Sequence, residues 1–236
     1  MSKKVSVALA AYNGGDFITE QLSSILSQLG EEDEVIVSDD NPPGNTKPAV
    51  LSLADKRIKY YEGPGKGVVK NFEFAISKCE GDVIFLSDQD DVWLPGKVEA
   101  VVKEINGGAS LVLHNAIITD RNLNADGLTA FSYFSTNKSF LRNFIKNTFV
   151  GCCMAFPSCE AESFLPFPES LPMHDWYIAL KTLKSGKKVS LIEEPLILYR
   201  RHGGNVTGGR TSLKEKLRRR KDIAKAVFMK GNAAHE

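Results

Sequence analysis

Three carboxylates, Asp88, Asp90 and Asp91, fall within four positions directly after the apolar run Val83-Ile84-Phe85-Leu86. Like charges packed that closely repel one another unless a cation or a cluster of donors neutralises them. Hard oxygen ligands at the carboxyl end of a strand suit Mg²⁺ or Mn²⁺, which take one or two carboxylates together with phosphate oxygens and water. The same residues also read as a solvated acidic turn ahead of a helix beginning near Pro95, whose N-terminus favours negative charge. Tyr12-Asn13 and Asp39-Asp40 stand in the same position, each at the end of a short apolar run. Asp175, at the head of a mostly apolar segment containing Trp176, Ile178, Ala179, Leu180 and Leu183, is explained locally as a helix N-cap.

The elements that must place these groups alternate between strand and helix. Val5 to Ala10 predicts a first strand, and Ile18, Leu22, Ile25, Leu26 and Leu29 repeat at the three-and-four spacing of one buried helical face, with Gly30 expected as the C-cap. Further strands are expected at 34–38, 58–61 and 83–86, the last buried on both faces, with helices after the glycine-rich 63–67 stretch and after Pro95. This alternation predicts right-handed βαβ units, an α/β class with a mostly parallel central sheet and flanking helices, and ligand sites at the carboxyl ends of the strands. Later in the chain, a strand is expected at 110–114 with 116–118 continuing it. A loop follows over 121–137, then a helix over 140–149, a small-residue strand over 150–156 and late strands at 188–191 and 195–199.

Composition bounds the rest. With 236 residues, 42% of them hydrophobic, the chain can bury a substantial core, and one domain is expected. The formal charge of +1 hides a tail, Arg210 to Lys230, in which nine basic residues face only Glu215 and Asp222. The chain is accordingly divided into a catalytic domain, 1–209, and a basic helical tail, 210–236. Leu213, Leu217, Ile223, Ala226 and Val227 make that tail either an amphipathic helix for anionic lipid or a solvated helix packed by one face. Without interleaved aromatics, nucleic acid is not expected as a partner. Cys79, Cys152, Cys153 and Cys159 lack a Cys-x-x-Cys or zinc spacing and read as reduced thiols. The start, Met-Ser-Lys-Lys followed by six mostly apolar residues, is too short for a secretory core, so a cytoplasmic protein, peripheral at most on the inner membrane face, is expected.

Taken together, several segments resemble the inverting nucleotide-sugar glycosyltransferases of family two, of GT-A fold, and bacterial rhamnosyltransferase-like members in particular. They are Ala11-Tyr12-Asn13-Gly14 with Glu20-Gln21-Leu22-x-Ser24-Ile25-Leu26-x-Gln28, Ser38-Asp39-Asp40, Lys66-Gly67-Val68-x-Lys70-Asn71-Phe72, Ser87-Asp88-Gln89-Asp90-Asp91-Val92-Trp93, His174-Asp175-Trp176 and Tyr199-Arg200-Arg201-His202. The resemblance implies a nucleotide site formed by Ala11, Tyr12, Asn13, Asp39, Lys66, Asn71 and Asp88, with Asp39 accepting the imide N–H of uracil or thymine. It implies Asp90 and His202 as ligands of Mn²⁺ or Mg²⁺ bridging the diphosphate. Asp91, Trp93, His174 and Trp176 would face the acceptor or the donor sugar, with Asp91 alternatively a helix cap. Asp175 would be the general base that takes the proton of the attacking hydroxyl.

The implied reaction moves a sugar, with rhamnose the leading guess, from a dTDP- or UDP-linked donor to a glycan or lipid-linked acceptor in bacterial envelope polysaccharide synthesis. Two departures stand out: Asn41-Pro42-Pro43-Gly44 replaces the family's usual turn, and the C-terminus is short. A metal-dependent nucleotidyltransferase also needs nucleotide-facing carboxylates but gives Asp175 no role, and a non-catalytic sugar-nucleotide-binding scaffold would need neither Asp90 nor Asp175. Gly63-Pro64-Gly65-Lys66 fails the P-loop pattern, and Tyr12-Asn13-Gly14-Gly15 fails the dinucleotide fingerprint.

Overall fold

The computed structural model describes residues 3–15, 17–202 and 212–228. Its elements are β1 (Val5–Ala11), α1 (Ile18–Leu26), β2 (Glu34–Asp39), α2 (Thr46–Leu51), β3 (Ile58–Glu62), α3 (Val68–Ser77), β4 (Val83–Asp88), β5 (Val92–Trp93) and α4 (Lys97–Asn106). They continue with β6 (Leu111–Thr119), β7 (Ala125–Thr129), α5 (Ala130–Phe134), α6 (Phe140–Ile145), β8 (Met154–Pro157), α7 (Ser158–Phe164), α8 (His174–Lys184), β9 (Val189–Arg200) and α9 (Leu213–Phe228).

The strands form one sheet in the order β3-β2-β1-β4-β8-β6-β9-β5, with β7 paired to β6. The four strands β3, β2, β1 and β4 run parallel, joined by helical crossovers, as their apolar runs require. Every residue of β1 and β2 is buried, and Phe85, Leu86 and Phe72 lie among the fully buried side chains between sheet and helices. From β4 onward the parallel order ends: β8 is antiparallel to both β4 and β6, β9 is parallel to β6, and β5 is antiparallel to β9. The α/β class holds, while the expected mostly parallel sheet is parallel in its first half and mixed in its second. In the second half, among the described residues, only β6 and β7 form a hairpin, and the other antiparallel pairs join strands separated by helices α4 to α8.

Several local expectations are corrected. Helix α1 stops at Leu26 with Ser27 as its C-cap, so Gly30 does not cap it; instead the Gly30 N–H donates to Asp33 Oδ2 at 2.7 Å. The 121–137 stretch contains β7 and α5, the latter begun by a reciprocal Thr129–Ser132 capping box. Helix α6 ends at Ile145 rather than 149, and residues 151–153 form a 3₁₀ turn before β8. The two late strands are one, β9, whose pairing with β6 carries irregularities opposite His114 and Asn115. The proposed boundary between domain and tail at 209/210 lies outside the described residues.

Candidate active site

The acidic turn is built from β4 and held from outside by α1. Besides its apolar stripe, α1 presents Gln21, Ser24 and Gln28 at helical spacing toward residues 87–97. Gln21 Nε2 donates to Ser87 Oγ (2.7 Å) and to the Asp88 carbonyl (3.0 Å), and Ser24 Oγ accepts the Trp93 N–H (2.9 Å). Gln28 donates to the Leu94 carbonyl and accepts the Lys97 N–H, both at 3.0 Å. Three polar side chains therefore fix the backbone that displays the carboxylates. Gln89 turns the other way: its amide accepts the Tyr12 N–H (2.8 Å) and donates to the Tyr12 carbonyl (2.9 Å), clamping the turn after β1. A Cβ at Gly14 would meet the Gln89 Oε1 atom at 2.4 Å, so the clamp requires glycine there.

On the nucleotide side, the expected residues converge at the carboxyl ends of β1 and β2. Asn13 adopts φ 54°, and its Oδ1 accepts Asn41 Nδ2 at 2.7 Å. Asp39 is fully buried, with Oδ2 accepting the Tyr60 hydroxyl (2.8 Å) and Oδ1 the Asn41 N–H (3.1 Å). Its neighbour Asp40 accepts the Gly65 and Gly67 N–H groups at 2.7 and 2.6 Å, tethering the loop that carries exposed Lys66. Asn71 is buried and donates to the carbonyls of Ala11 (3.1 Å) and Ser38 (2.9 Å), while its Oδ1 accepts the Ser38 hydroxyl. Asn71 thus ties the two strand ends together. The Tyr12 ring stands 60% exposed above them.

The carboxylates crowd into one place. Burial, followed by the charges of Asp91, Asp90 and Asp175, raises the Asp88 carboxyl well above the usual range. Burial, then Asp90, pushes Asp91 up to about 7; its Oδ1 accepts the Arg200 N–H at 3.0 Å while Oδ2 is buried without a partner. Asp91 does not cap α4, which begins after Gly96 with no side-chain cap. One carboxylate oxygen each from Asp88 and Asp91 and the Cys152 sulfur lie within 4.8 Å of one another. Asp90 Oδ2 lies 2.8 Å from His202 Nε2, and the His202 ring stacks on Phe17 at 5.0 Å. The structure therefore brings the expected metal pair, Asp90 and His202, together. A hollow of about 570 Å³ lined by Asp120, Asn124, Asp126, Arg201 and His202 opens beside it.

Asp175 lies one residue inside α8, whose N-cap is Met173, so the local N-cap reading is corrected. It is buried; burial pushes its carboxyl up to about 7 against hydrogen bonds from the Trp176 N–H (2.6 Å to Oδ1), the Asn147 side chain and the Gly151 backbone. His174 stacks on Phe72 at 4.1 Å with Nε2 unpartnered, and burial lowers its pKa to about 3, leaving the imidazole neutral. The two tryptophans are packed into the core. Trp93, 3% exposed, packs between Phe85 and the Lys97 ammonium, and Trp176, 5% exposed, donates its indole N–H to the Asn143 carbonyl at 2.6 Å. Both rings fill the core because their flanking residues form a strand and a helix whose inner faces they occupy.

Two residues carry more of the site than their sequence signals. Lys97 is buried beneath the acidic turn, donates to the Cys152 carbonyl at 3.2 Å and has its pKa lowered by burial to about 8. Nothing in Pro95-Gly96-Lys97-Val98 marks it. Arg200 Nε donates to the Asp90 carbonyl (2.7 Å) and Nη2 to Glu20 (2.5 Å), joining β9 to the acidic turn and α1. Its place in Tyr199-Arg200-Arg201-His202 was the available signal.

A sheet whose parallel strands end on Asp39 and Asp88, followed by an acidic turn that β9 completes, is the GT-A arrangement expected from the resemblance. The profile described as "Glycosyl transferase family 2" matches residues 6–160, and the chain belongs to that family. It is 28% identical over 185 residues to UDP-Glc:alpha-D-GlcNAc-diphosphoundecaprenol beta-1,3-glucosyltransferase WfgD of Escherichia coli, covering 76% of this chain and 70% of that protein. To dTDP-rhamnosyl transferase RfbG of Shigella flexneri it is 25% identical, covering 89% and 77%. Among solved structures, S. aureus TarS 1-349 in complex with UDP-GlcNAc superposes with a TM-score of 0.72 at 18% identity, covering 96% of this chain and 68% of that one. The protein is a bacterial-type glycosyltransferase acting on nucleotide-sugar donors.

Proposed function

We propose that the chain transfers a hexose with inversion from a UDP- or dTDP-linked donor to a hydroxyl of a lipid-linked or glycan acceptor, on the inner face of a bacterial membrane. The observation that carries this reading is Asp175: a buried carboxyl with a pKa near 7, close enough to the acidic turn for its charge to raise Asp88. A general base works best with a pKa near the operating pH. The names of the glucosyltransferase and rhamnosyltransferase relatives support the two donor bases and a lipid diphosphate acceptor, and a rhamnose donor rests on the second alone.

A divalent cation fits the donor set. Asp90 offers a hard oxygen and His202 a nitrogen at contact distance, and Asp88 and Asp91 crowd one carboxylate oxygen each within 4.8 Å of the other in the same turn. A related fold, the mannosyltransferase PcManGT from Pyrobaculum calidifontis, was solved with GDP-Man and Mn²⁺ (TM-score 0.61, 16% identity, covering 88% of this chain and 59% of that one). When bound, such an ion would neutralise charge on the departing diphosphate. The chain's own groups do the rest. Tyr12, Asn13 and Asp39 hold the base and ribose end, Asn71 keeps the strand ends in register, and Asp175 accepts the proton as the acceptor oxygen attacks opposite the diphosphate.

Thermal stability with UDP, dTDP, GDP and CDP, each with and without Mn²⁺, tests the donor half. Saturation at a hundred times the dissociation constant stabilises by about 2.7 kcal/mol. A metal-dependent rise in Tm confined to UDP or dTDP and lost in Asp90→Ala is expected; a rise independent of metal, or equal for all four, refutes the assignment.

A further inference from the structure

The surface farthest in chemistry from the acidic cleft is the one formed by α6 and α9. Exposed large apolar side chains concentrate there: Leu141 and Ile145 on α6, 72% and 61% exposed, and Leu213, Leu217 and Phe228 on α9, 79%, 63% and 53% exposed. The two helices are neighbours, since Arg220 Nε donates to the Ile145 carbonyl at 3.1 Å and Phe228 meets Phe140 and Phe144 edge-on. Next to this stripe α9 buries Ile223 and Val227, and the Lys184 ammonium holds the Val227 carbonyl at 2.8 Å. One edge of the apolar side of α9 is thus packed, and the outward residues continue it into solvent. Leu213, Leu217, Ala224 and Phe228 follow a single helical stripe, flanked on α9 by Lys214, Lys216, Arg220, Lys221 and Lys225.

We propose that this α6–α9 face lies on an anionic lipid bilayer, with the leucines, Ile145 and Phe228 entering the headgroup region and the flanking lysines and arginines meeting the lipid phosphates. Seven basic residues against two acidic ones on α9 give the charge complementarity. The exposed aliphatic residues among them select a bilayer over nucleic acid, which rewards aromatic stacking rather than leucine burial. The face is also mechanically joined to the candidate base. The Asn143 carbonyl on the inner side of α6 receives the Trp176 indole, and Asn147 just beyond α6 bonds Asp175. If Asp175 is the base, as proposed above, docking places it behind α6, tied through Asn143 and Asn147 to the helix whose outer side meets the lipid.

Sedimentation with vesicles of phosphatidylcholine alone, and of phosphatidylcholine mixed with phosphatidylglycerol, tests the proposal without any turnover. Binding is expected only to the anionic vesicles and should weaken with salt. Lys214→Ser, Lys221→Ser and Lys225→Ser should each cost about fivefold in affinity, the equivalent of about 1 kcal/mol per basic residue. The combined Leu141→Ser, Ile145→Ser and Leu217→Ser variant should lose binding while keeping the Tm rise given by its nucleotide and Mn²⁺, which shows that the fold and donor site survive. Binding that is equal on both vesicle types, or unchanged in these variants, overturns the proposal. So does light scattering that finds a dimer broken by the apolar substitutions, which would make the face a contact between two copies. Failure of the wild-type protein to bind anionic vesicles, with its nucleotide response intact, refutes only the docking; intact docking with full turnover in Asp175→Asn refutes only the base.

Discussion

Replacing Asp175 by asparagine separates chemistry from stability in one substitution. Asparagine keeps an oxygen to accept the Trp176 N–H, so the local hydrogen bond at 2.6 Å can persist. It cannot take a proton, and loss of a positioned base costs roughly 10²–10⁴-fold in rate. Turnover should fall by that factor, while the nucleotide-dependent Tm rise stays near wild type. Stability should move the opposite way. In the folded protein burial raises the Asp175 pKa from 3.8 to about 7, so between these values the unfolded chain ionises first and folding is penalised. The penalty is absent below about pH 3.8, grows with pH and is complete above about pH 7. At about 1.4 kcal/mol per unit it reaches at most about 4 kcal/mol. Asp175→Asn should thus be more stable than wild type at pH 8, with the gain shrinking toward zero near pH 4, measured by urea denaturation across that range. Turnover within a few-fold of wild type would refute the base. A stability gain independent of pH would refute the raised pKa.

Three further outcomes follow from the same geometry. Asn71→Ala removes both buried amide bonds to the Ala11 and Ser38 carbonyls and should cost roughly 2–3 kcal/mol in urea denaturation; Asn71→Asp should recover none of it, because a carboxylate has no N–H to donate. Lys97 has a folded pKa of about 8 against 10.5 unfolded, so the unfolded chain holds the extra proton between those values. Wild type should gain up to about 3 kcal/mol over Lys97→Met as pH rises through that window, read by paired denaturation curves. A Cβ at Gly151 would stand 2.8 Å from His174 Nε2 and 3.6 Å from Asp175 Cβ; Gly151→Ala should lower kcat by displacing α8's first turn and destabilise by about 1–3 kcal/mol.

The first half of the sheet was readable because β1, β2 and β4 announce themselves as short apolar runs ending in polar residues. In the second half β6, β8 and β9 were also expected, but their antiparallel order was not, and Val92–Trp93, only two residues long, and the polar Ala125–Thr129 fall below what periodicity resolves. The acidic turn, Asp175 and His202 stood out in the sequence as candidates, and Asp90 and His202 do meet. That Trp93 and Trp176 are packed into the core was not legible, because motif membership does not tell an open ring from one that holds the motif's backbone. Gln21, Ser24 and Gln28 stood in a segment of the resemblance without a role, because polar residues interleaved with an apolar stripe read as its solvent edge, yet they are the contacts that hold the acidic turn. The Lys97 position gave no signal at all, since the Cys152 carbonyl that receives it lies 55 residues away in sequence.

The contacts of Arg200 have a consequence for how the chain becomes active during its own synthesis. The acidic turn leaves the ribosome with residues 88–91, but the groups that receive it, the Arg200 backbone and side chain and the His202 ring, come more than a hundred residues later. Nascent chains begin folding from the N-terminal side at about 5–20 residues per second. The parallel strands can therefore assemble while Asp90 and Asp91 still lack their partners, for several seconds at that pace. Competence arrives only when β9 inserts between β6 and β5. A polypeptide interrupted before that strand would lack every contact that Arg200 and His202 make to the acidic turn.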